Sequence, residues 1–399
     1  MRPCSNRNAW LVSLTVLLGL AAPPLRATPE AAPPPAAAHR PQEAGLEPFL
    51  GEPRFTLQPL FANDRFPNVV VAVDGTVLAF WNGVQVRRSE DGGQTWSDAI
   101  PVGQGFMGGG VTVDERAGTI LAFVETGHPP AALQVYRSTD HGKTWQPQPT
   151  VVHPDERGNV PSMHMNEHGL TLRRGPHAGR LLRPSRWYAG QNEPARWPEH
   201  YTNAIYSDDG GRTWHCSQPF PALGTGEAAL VELSDGRLYY NSRRHWAPPG
   251  ENPRRRWTAT SADGGRTWRD LAICEVLPDG DQDRDYGLMG GLTRLPVAGR
   301  DILIFSNIES PTGRHHGTVW ASLDGGRTWP VKRLVYDGPC AYSSLEAGRP
   351  GTPSEGWIYL LFEGGPQGGG TIARFNLSWV LAGEATGGLP AVPDPGTAR

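Results

Sequence analysis

The sequence predicts an all-β protein, a six-bladed propeller, and three observations carry that reading. One eight-residue pattern recurs five times, turn-forming residues are abundant, and short apolar runs alternate with turns. The pattern Ser-x-Asp-x-Gly-x-Thr-Trp occupies Ser89–Trp96, Ser138–Trp145, Ser207–Trp214, Ser261–Trp268 and Ser322–Trp329. Its aspartates are 49, 69, 54 and 61 residues apart, too far for a single hairpin and suited to a four-stranded sheet with its loops. Glycine (50) and proline (39) exceed one residue in five of the 399, while charged residues supply 19%. That balance disfavours helix bundles and coiled coils. Sheets of this size that repeat radially close into a propeller around a central funnel.

In chain order, Arg2 and Arg7 precede an apolar run from Ala9 to Ala22, and small residues follow to Ala27. This is the order of a secretory signal peptide, expected over 1–27. The alternative, an uncleaved anchor, needs about 20 apolar residues, and the run is shorter. Export to the periplasm or the cell exterior follows, with no membrane partner once the signal is cleaved. Residues 28–45 are rich in Ala and Pro and read as a disordered linker. The propeller is expected over 46–385 and a flexible tail over 386–399. Six units of about 55 residues fill this length, so one blade lacks the repeated motif. Apolar runs at Val69–Val73, Val77–Phe80, Ile120–Val124, Leu230–Leu233, Ile302–Phe305 and Trp357–Phe362 are the strands.

Within the motif, Ser and Asp side chains can bond neighbouring backbone amides, and Gly supplies a positive φ, so each copy is a tight turn between strands. The Trp then packs between sheets. A residue set present on every blade cannot be a singular active site, so these aspartates build the fold and do no chemistry. The net charge of −3 and pI near 6.5 exclude the broad basic surface of a nucleic-acid binder. Loss of Cys4 with the signal leaves Cys216, Cys274 and Cys340, an odd number with no zinc spacing. One disulfide or three free thiols are both compatible. No cofactor or metal is called for; His164, Glu167 and His168 are close in sequence, but their spacing matches no strong metal motif.

The repeated box is the Asp-box of the sialidase superfamily, and four segments outside it also resemble exo-sialidases, over roughly residues 60 to 365. Arg65-Phe66-Pro67 runs into a strand as the family's Arg-Ile-Pro signature does. The segment from Gly226-Glu227 through Val231-Glu232-Leu233 to Asn241-Ser242-Arg243 matches a glutamate and an arginine of the family. Arg314 lies eight residues upstream of the fifth box serine. Ala341-Tyr342-Ser343-Ser344-Leu345 follows that box and leads to a strand ending in Glu363. The resemblance implies that Arg65, Arg243 and Arg314 hold a sugar carboxylate, that Tyr342 is the nucleophile and that Glu227 is its base. Guanidiniums give bidentate, charge-assisted bonds to carboxylates. A neutral tyrosine suits an anionic substrate that would repel a carboxylate nucleophile, provided a base takes its proton.

The chain departs from the family in its first blade, where retaining sialidases carry an aspartic acid on a loop as general acid and base. Here only Trp81 to Arg88 link Phe80 to the first box, with no acid among them. Asp64, Glu167, His168 and Asp285 are the candidate substitutes, the Glu167/His168 pair foremost. Three readings follow: a sialidase-like glycosidase with a relocated acid, a glycosidase for another nonulosonic or a uronic acid, or a glycan-binding propeller without turnover. The partner in each is an acidic glycan. Retention of Tyr342 with Glu227 favours the first two and the absent acid the third.

Overall fold

The repeated turns are built as their composition dictates. In all five, the Ser hydroxyl donates to the Asp Oδ1 at 2.8–2.9 Å. It also accepts the N–H of the motif glycine at 2.7–3.1 Å. The Asp Oδ1 accepts the Thr N–H at 2.9–3.0 Å. The motif glycines have φ between 82 and 87°, a region that only glycine enters freely. Each turn joins the third strand out from the axis to the fourth. The computed structural model describes residues 43–105, 107–244, 246, 253–279 and 287–386, all within one compact unit.

We number the innermost strands in chain order: β1 (Pro67–Val71), β2 (Met107–Asp114), β3 (Leu170–Thr171), β4 (Thr225–Glu232), β5 (Gly291–Arg294) and β6 (Val331–Ala347). Bonds between neighbouring innermost segments run around the axis. Val69 N donates to Ser344 Oγ at 2.9 Å, Val111 N to Asn68 Oδ1 at 3.0 Å and Gly169 N to the Val111 carbonyl at 2.8 Å. Glu167 N donates to the Ala228 carbonyl at 2.9 Å, and Ser343 N to that of Met289 at 3.3 Å. The first strand of the chain, Phe55–Phe61, pairs antiparallel with the last long one, Gly370–Phe375, and closes the ring.

Apolar clusters fill the space between successive sheets. Val70, Leu78 and Phe80 meet Val111, Ile120 and Trp145. Val69, Val77 and Trp81 meet Tyr359, Leu361 and Ile372, which ties the first sheet to the last. The box tryptophans lie in these layers, with Trp145 edge-on to Phe80 and Trp214 edge-on to Phe123.

The all-β propeller is present, but six separate four-stranded sheets are not. The described residues form five sheets: three of four strands, one of five and one of eight. The cause is β6, which runs unbroken for 17 residues. Its first half pairs with His315–Ser322 and its second half with Ile358–Gly364, fusing what the repeat spacing predicts as two blades.

The linker also ends earlier than expected. Ala44 N donates to the Pro296 carbonyl at 3.0 Å, and Glu43 pairs with Arg174 and Arg294. At the other end, Glu384–Ala385 pairs with Val331–Lys332, and Thr386 N bonds the Pro330 carbonyl at 3.0 Å. The proposed signal peptide, the linker before Glu43, the tail beyond Thr386 and Asp285 lie outside the described residues. Among the described residues no helix is long and apolar enough to cross a membrane, and the three cysteines are free.

Candidate active site

Antiparallel sheets with parallel innermost strands give the ring two different ends. At one end the innermost strands begin and the second strands finish, and the singular residues of the sequence gather there. Arg65 lies two residues before β1, Glu227 is the third residue of β4, Arg243 is the last but one of its partner strand Leu238–Arg244, and Tyr342 lies on β6.

Tyr342 donates its hydroxyl hydrogen to Glu227 Oε1 at 2.9 Å, joining residues 115 positions apart. Arg243 forms an ion pair with the other oxygen, Oε2, and both side chains are fully buried. Burial alone would raise the Glu227 carboxyl, but the positive charges of Arg243 and then Arg186 outweigh it and hold its pKa below the usual value. The Arg243 guanidinium is held above its ordinary value, against its own burial, by the same pair. Glu227 is thus an ionised acceptor aimed at a phenol.

The other two predicted arginines flank the phenol ring. The Arg65 guanidinium lies 5.0 Å from the ring centroid of Tyr342 and that of Arg314 lies 5.4 Å from it. Arg65 is positioned by Glu363, which accepts from Nε at 3.2 Å and Nη2 at 2.9 Å on Oε2, and from the Phe66 N–H at 3.0 Å on Oε1. That last bond holds Phe66 at φ 72°, a costly conformation for an aromatic residue. Its ring lies 6.0 Å from both Tyr342 and His164, over the site.

The candidates for the acid are placed differently. Glu167 and His168 are buried one strand step further along the axis: Ser344 Oγ donates to Glu167 Oε1 at 2.5 Å, and His168 Nε2 lies 2.9 Å from the Leu345 carbonyl. No hydrogen bond or ion pair joins them to Tyr342 or Glu227. Burial pushes the Glu167 carboxyl up to about 7. Asp64 is exposed at the rim beside Arg65, with φ 68°. His164 turns toward Phe66, His128 and Tyr188 while His168 bonds Leu345, so these histidines do not converge, and no group of three potential metal ligands occurs among the described residues.

Sequence reasoning missed Arg186. It lies near the end of Leu181–Trp187, fully buried, with Nη1 3.8 Å from Glu227 Oε1 and its guanidinium 4.2 Å from the Tyr188 ring centroid. The sequence offers no signal for it, because the same strand also carries Arg183 and Ser185. Sequence reasoning also gave Glu363 no role, although it fixes Arg65.

A tyrosine bonded to a buried carboxylate, with Arg65, Arg243 and Arg314 around the pair, is the constellation that the Asp-box resemblance implies. The family model for the BNR repeat-like domain matches residues 76–352. The chain belongs to this BNR-repeat family, within the sialidase superfamily. A sialidase of Micromonospora viridifaciens is 33% identical over 377 residues, covering 83% of this chain and 55% of that protein. A sialidase of Bacteroides fragilis is 26% identical over 318 residues, 68% of this chain and 55% of that protein. The chain therefore spans about half the length of these two relatives. Among solved structures, a Hadza microbial sialidase is 25% identical with a TM-score of 0.58, covering 79% of this chain and 66% of that one. The intramolecular trans-sialidase of Ruminococcus gnavus shares the fold at a TM-score of 0.59 with 16% identity, over 80% of this chain and 97% of that one. Within this BNR-repeat scaffold the boxes lie on the outer turns, whereas Tyr342, Glu227 and the arginines occupy one end of the axis.

Proposed function

We propose that this chain is an exported, exo-acting glycoside hydrolase that removes terminal sialic acid or a related acidic sugar from glycans. The observation that carries the proposal is the 2.9 Å bond from the Tyr342 hydroxyl to a buried, ionised Glu227. Arg65, Arg243 and Arg314 bind the sugar carboxylate, which sets the anomeric carbon against the phenol. As Tyr342 attacks, its proton passes to Glu227, the C–O bond to the leaving group breaks, and a glycosyl-tyrosine forms. The relatives' description as sialidases supports the substrate class. The eight-stranded sheet is read here as two blades sharing β6, which gives six blades in all. In this reading the signal peptide over 1–27 directs export.

Glu167 and His168, the foremost candidates for the acid, bond Ser344 and Leu345 and not the reacting pair, and this favours substrates with good leaving groups or a purely glycan-binding role as the second reading. Aryl α-glycosides of sialic acid separate the two, because a phenolate departs with little protonation. The parent is expected to release the phenol, and Tyr342→Phe to lose at least about a thousandfold in kcat/KM, the order expected when a nucleophile is removed. Binding of the sugar, lost on Arg65→Ala, with no release by the parent would leave the binding reading.

A further inference from the structure

The third sheet contributes a cluster of polar groups that the chemistry above uses only through the charge of Arg186 on Glu227. Arg186 is 1% exposed, His164 0% and Tyr188 7%. Among the described residues, Nε and Nη1 of Arg186, both ring nitrogens of His164 and the Tyr188 hydroxyl are sealed from solvent and have no hydrogen-bond partner. Five orphaned polar atoms in one place are unusual, since buried polar groups are nearly always bonded. The cluster adjoins the reacting pair: Arg186 faces Glu227 at 3.8 Å, and His164 lies 6.0 Å from Phe66, the ring that covers Tyr342.

The group is also rigidly held. The backbone of Arg186 exchanges two hydrogen bonds with Ser162, at 2.7 and 3.0 Å. Tyr188 packs against the guanidinium, and so does Gly226: a Cβ there would lie 3.3–3.4 Å from Cζ, Nη1 and Nη2 alike. The glycine before Glu227 thus lets the backbone lie flat on the guanidinium plane.

What would satisfy these atoms is decided by counting donors and acceptors. Arg186 offers donors only, and the tyrosine hydroxyl and each imidazole can offer one. The one carboxylate in ion-pair range of Arg186, Glu227, already accepts Tyr342 and Arg243. The neighbouring Glu125 spends Oε1 on Ser162 at 2.6 Å and Met163 N at 2.9 Å, and burial pushes its carboxyl up to about 7, which weakens it as a counterion. Burial and the charges of Arg186, His128 and Arg65 keep His164 neutral. A donor-rich, cationic cluster calls for an acceptor-only, anionic group, because Nε and Nη1 of Arg186 remain without a hydrogen bond although Glu227 lies in ion-pair range. A sugar with a single carboxylate spends it on Arg65, Arg243 and Arg314.

We propose that Arg186, His164 and Tyr188 form a second anion subsite, which takes a second carboxylate carried by the acidic sugar. The preferred substrate is then a dicarboxylic ulosaric acid glycoside and not a monocarboxylic one. This rests on the reading of the arginine clamp given above, and it makes Arg186 a specificity-determining residue.

The test is calorimetric titration with a matched pair of free sugars, a 3-deoxy-2-ulosonic acid and its ω-oxidised 3-deoxy-2-ulosaric counterpart, which differ only in the second carboxylate. The parent is expected to bind the diacid at least tenfold more tightly. Arg186→Gln should erase that ratio, and Tyr188→Phe and His164→Gln should each reduce it. Equal binding of the two sugars by the parent, binding of neither, or a ratio that survives Arg186→Gln overturns the proposal. The parent's ratio is read without any variant, so misfolding of Arg186→Gln cannot rescue it. Preference for the diacid without turnover of any aryl glycoside sinks the hydrolase reading and leaves the subsite. Turnover of sialic acid glycosides without preference for the diacid does the reverse.

Discussion

In the proposed reaction Glu227 is the residue on which the chemistry turns, because one carboxylate serves a phenol and two guanidiniums. A base must be ionised to accept a proton, so activity falls as pH drops through its pKa. Arg243 and Arg186 hold that pKa down, and the proposed reaction is therefore expected to extend to acid pH. Arg243→Gln removes the larger of the two opposing charges, so the carboxyl rises. The acid limb of the kcat/KM profile should move to higher pH by about one unit or more, alongside weaker substrate binding. A limb that stays in place while kcat/KM falls would mean that Arg243 only holds the substrate. At this scale the sequence was informative where residues fall in motif-like segments: Arg65, Glu227, Arg243, Arg314 and Tyr342 converge as expected. Arg186 was invisible because nothing in RLLRPSRW distinguishes a buried arginine from a solvated one, and its partner is 41 residues further on.

The boxed turn is the element that makes the fold recognisable, and its glycine shows why. At Gly142 φ is 84°, and an added Cβ would lie 2.2 Å from Leu78 Cδ2 on the preceding sheet. The turn therefore sets its own backbone and its approach to the neighbouring sheet together. Gly142→Ala should cost more than about 1 kcal/mol from the left-handed backbone alone, with the clash adding to it. Urea denaturation should show the loss while KM stays unchanged, since the turn is on the outer side of its sheet. An unaltered midpoint would contradict the packing described. The strands and boxes were legible because Ser, Asp, Gly, Thr and Trp have fixed local roles. The fusion of two expected blades was not legible, because the unbroken run of β6 depends on pairing with strands on both sides, which no local pattern in Val331–Ala347 announces.

For the whole molecule, the interior carries carboxyls pushed in opposite directions, and together they set the pH of greatest stability. At the end of the axis away from Tyr342, a cavity of about 270 Å³ is lined by charged groups including Glu115, Arg173 and Arg349. Glu115 is buried, which alone would raise it, yet Arg349 and Arg173 bring it down to about 2. Its contribution is present above an unfolded pKa near 4.5 and is lost as pH falls toward 2. Glu125 and Glu167 are raised to about 7, so their contribution is complete below 4.5 and is lost as pH rises through 7. The melting temperature should therefore be highest in mildly acidic solution and decline toward pH 8. Glu167→Gln keeps a neutral hydrogen-bonding side chain and should flatten that decline. A decline equally steep in the variant would show that Glu167 is ionised in the fold without penalty.

In the proposed reaction Tyr342 becomes covalently attached to an acidic sugar, and that state can be trapped. A 3-fluoro glycosyl fluoride of sialic acid suits the purpose: fluoride leaves without an acid, and the ring fluorine slows breakdown of the product. Intact mass followed by peptide mapping should find the glycosyl group on the peptide containing Tyr342, with none formed by Tyr342→Phe. An adduct on another residue, or steady release of fluoride with no adduct at any time, would contradict the account.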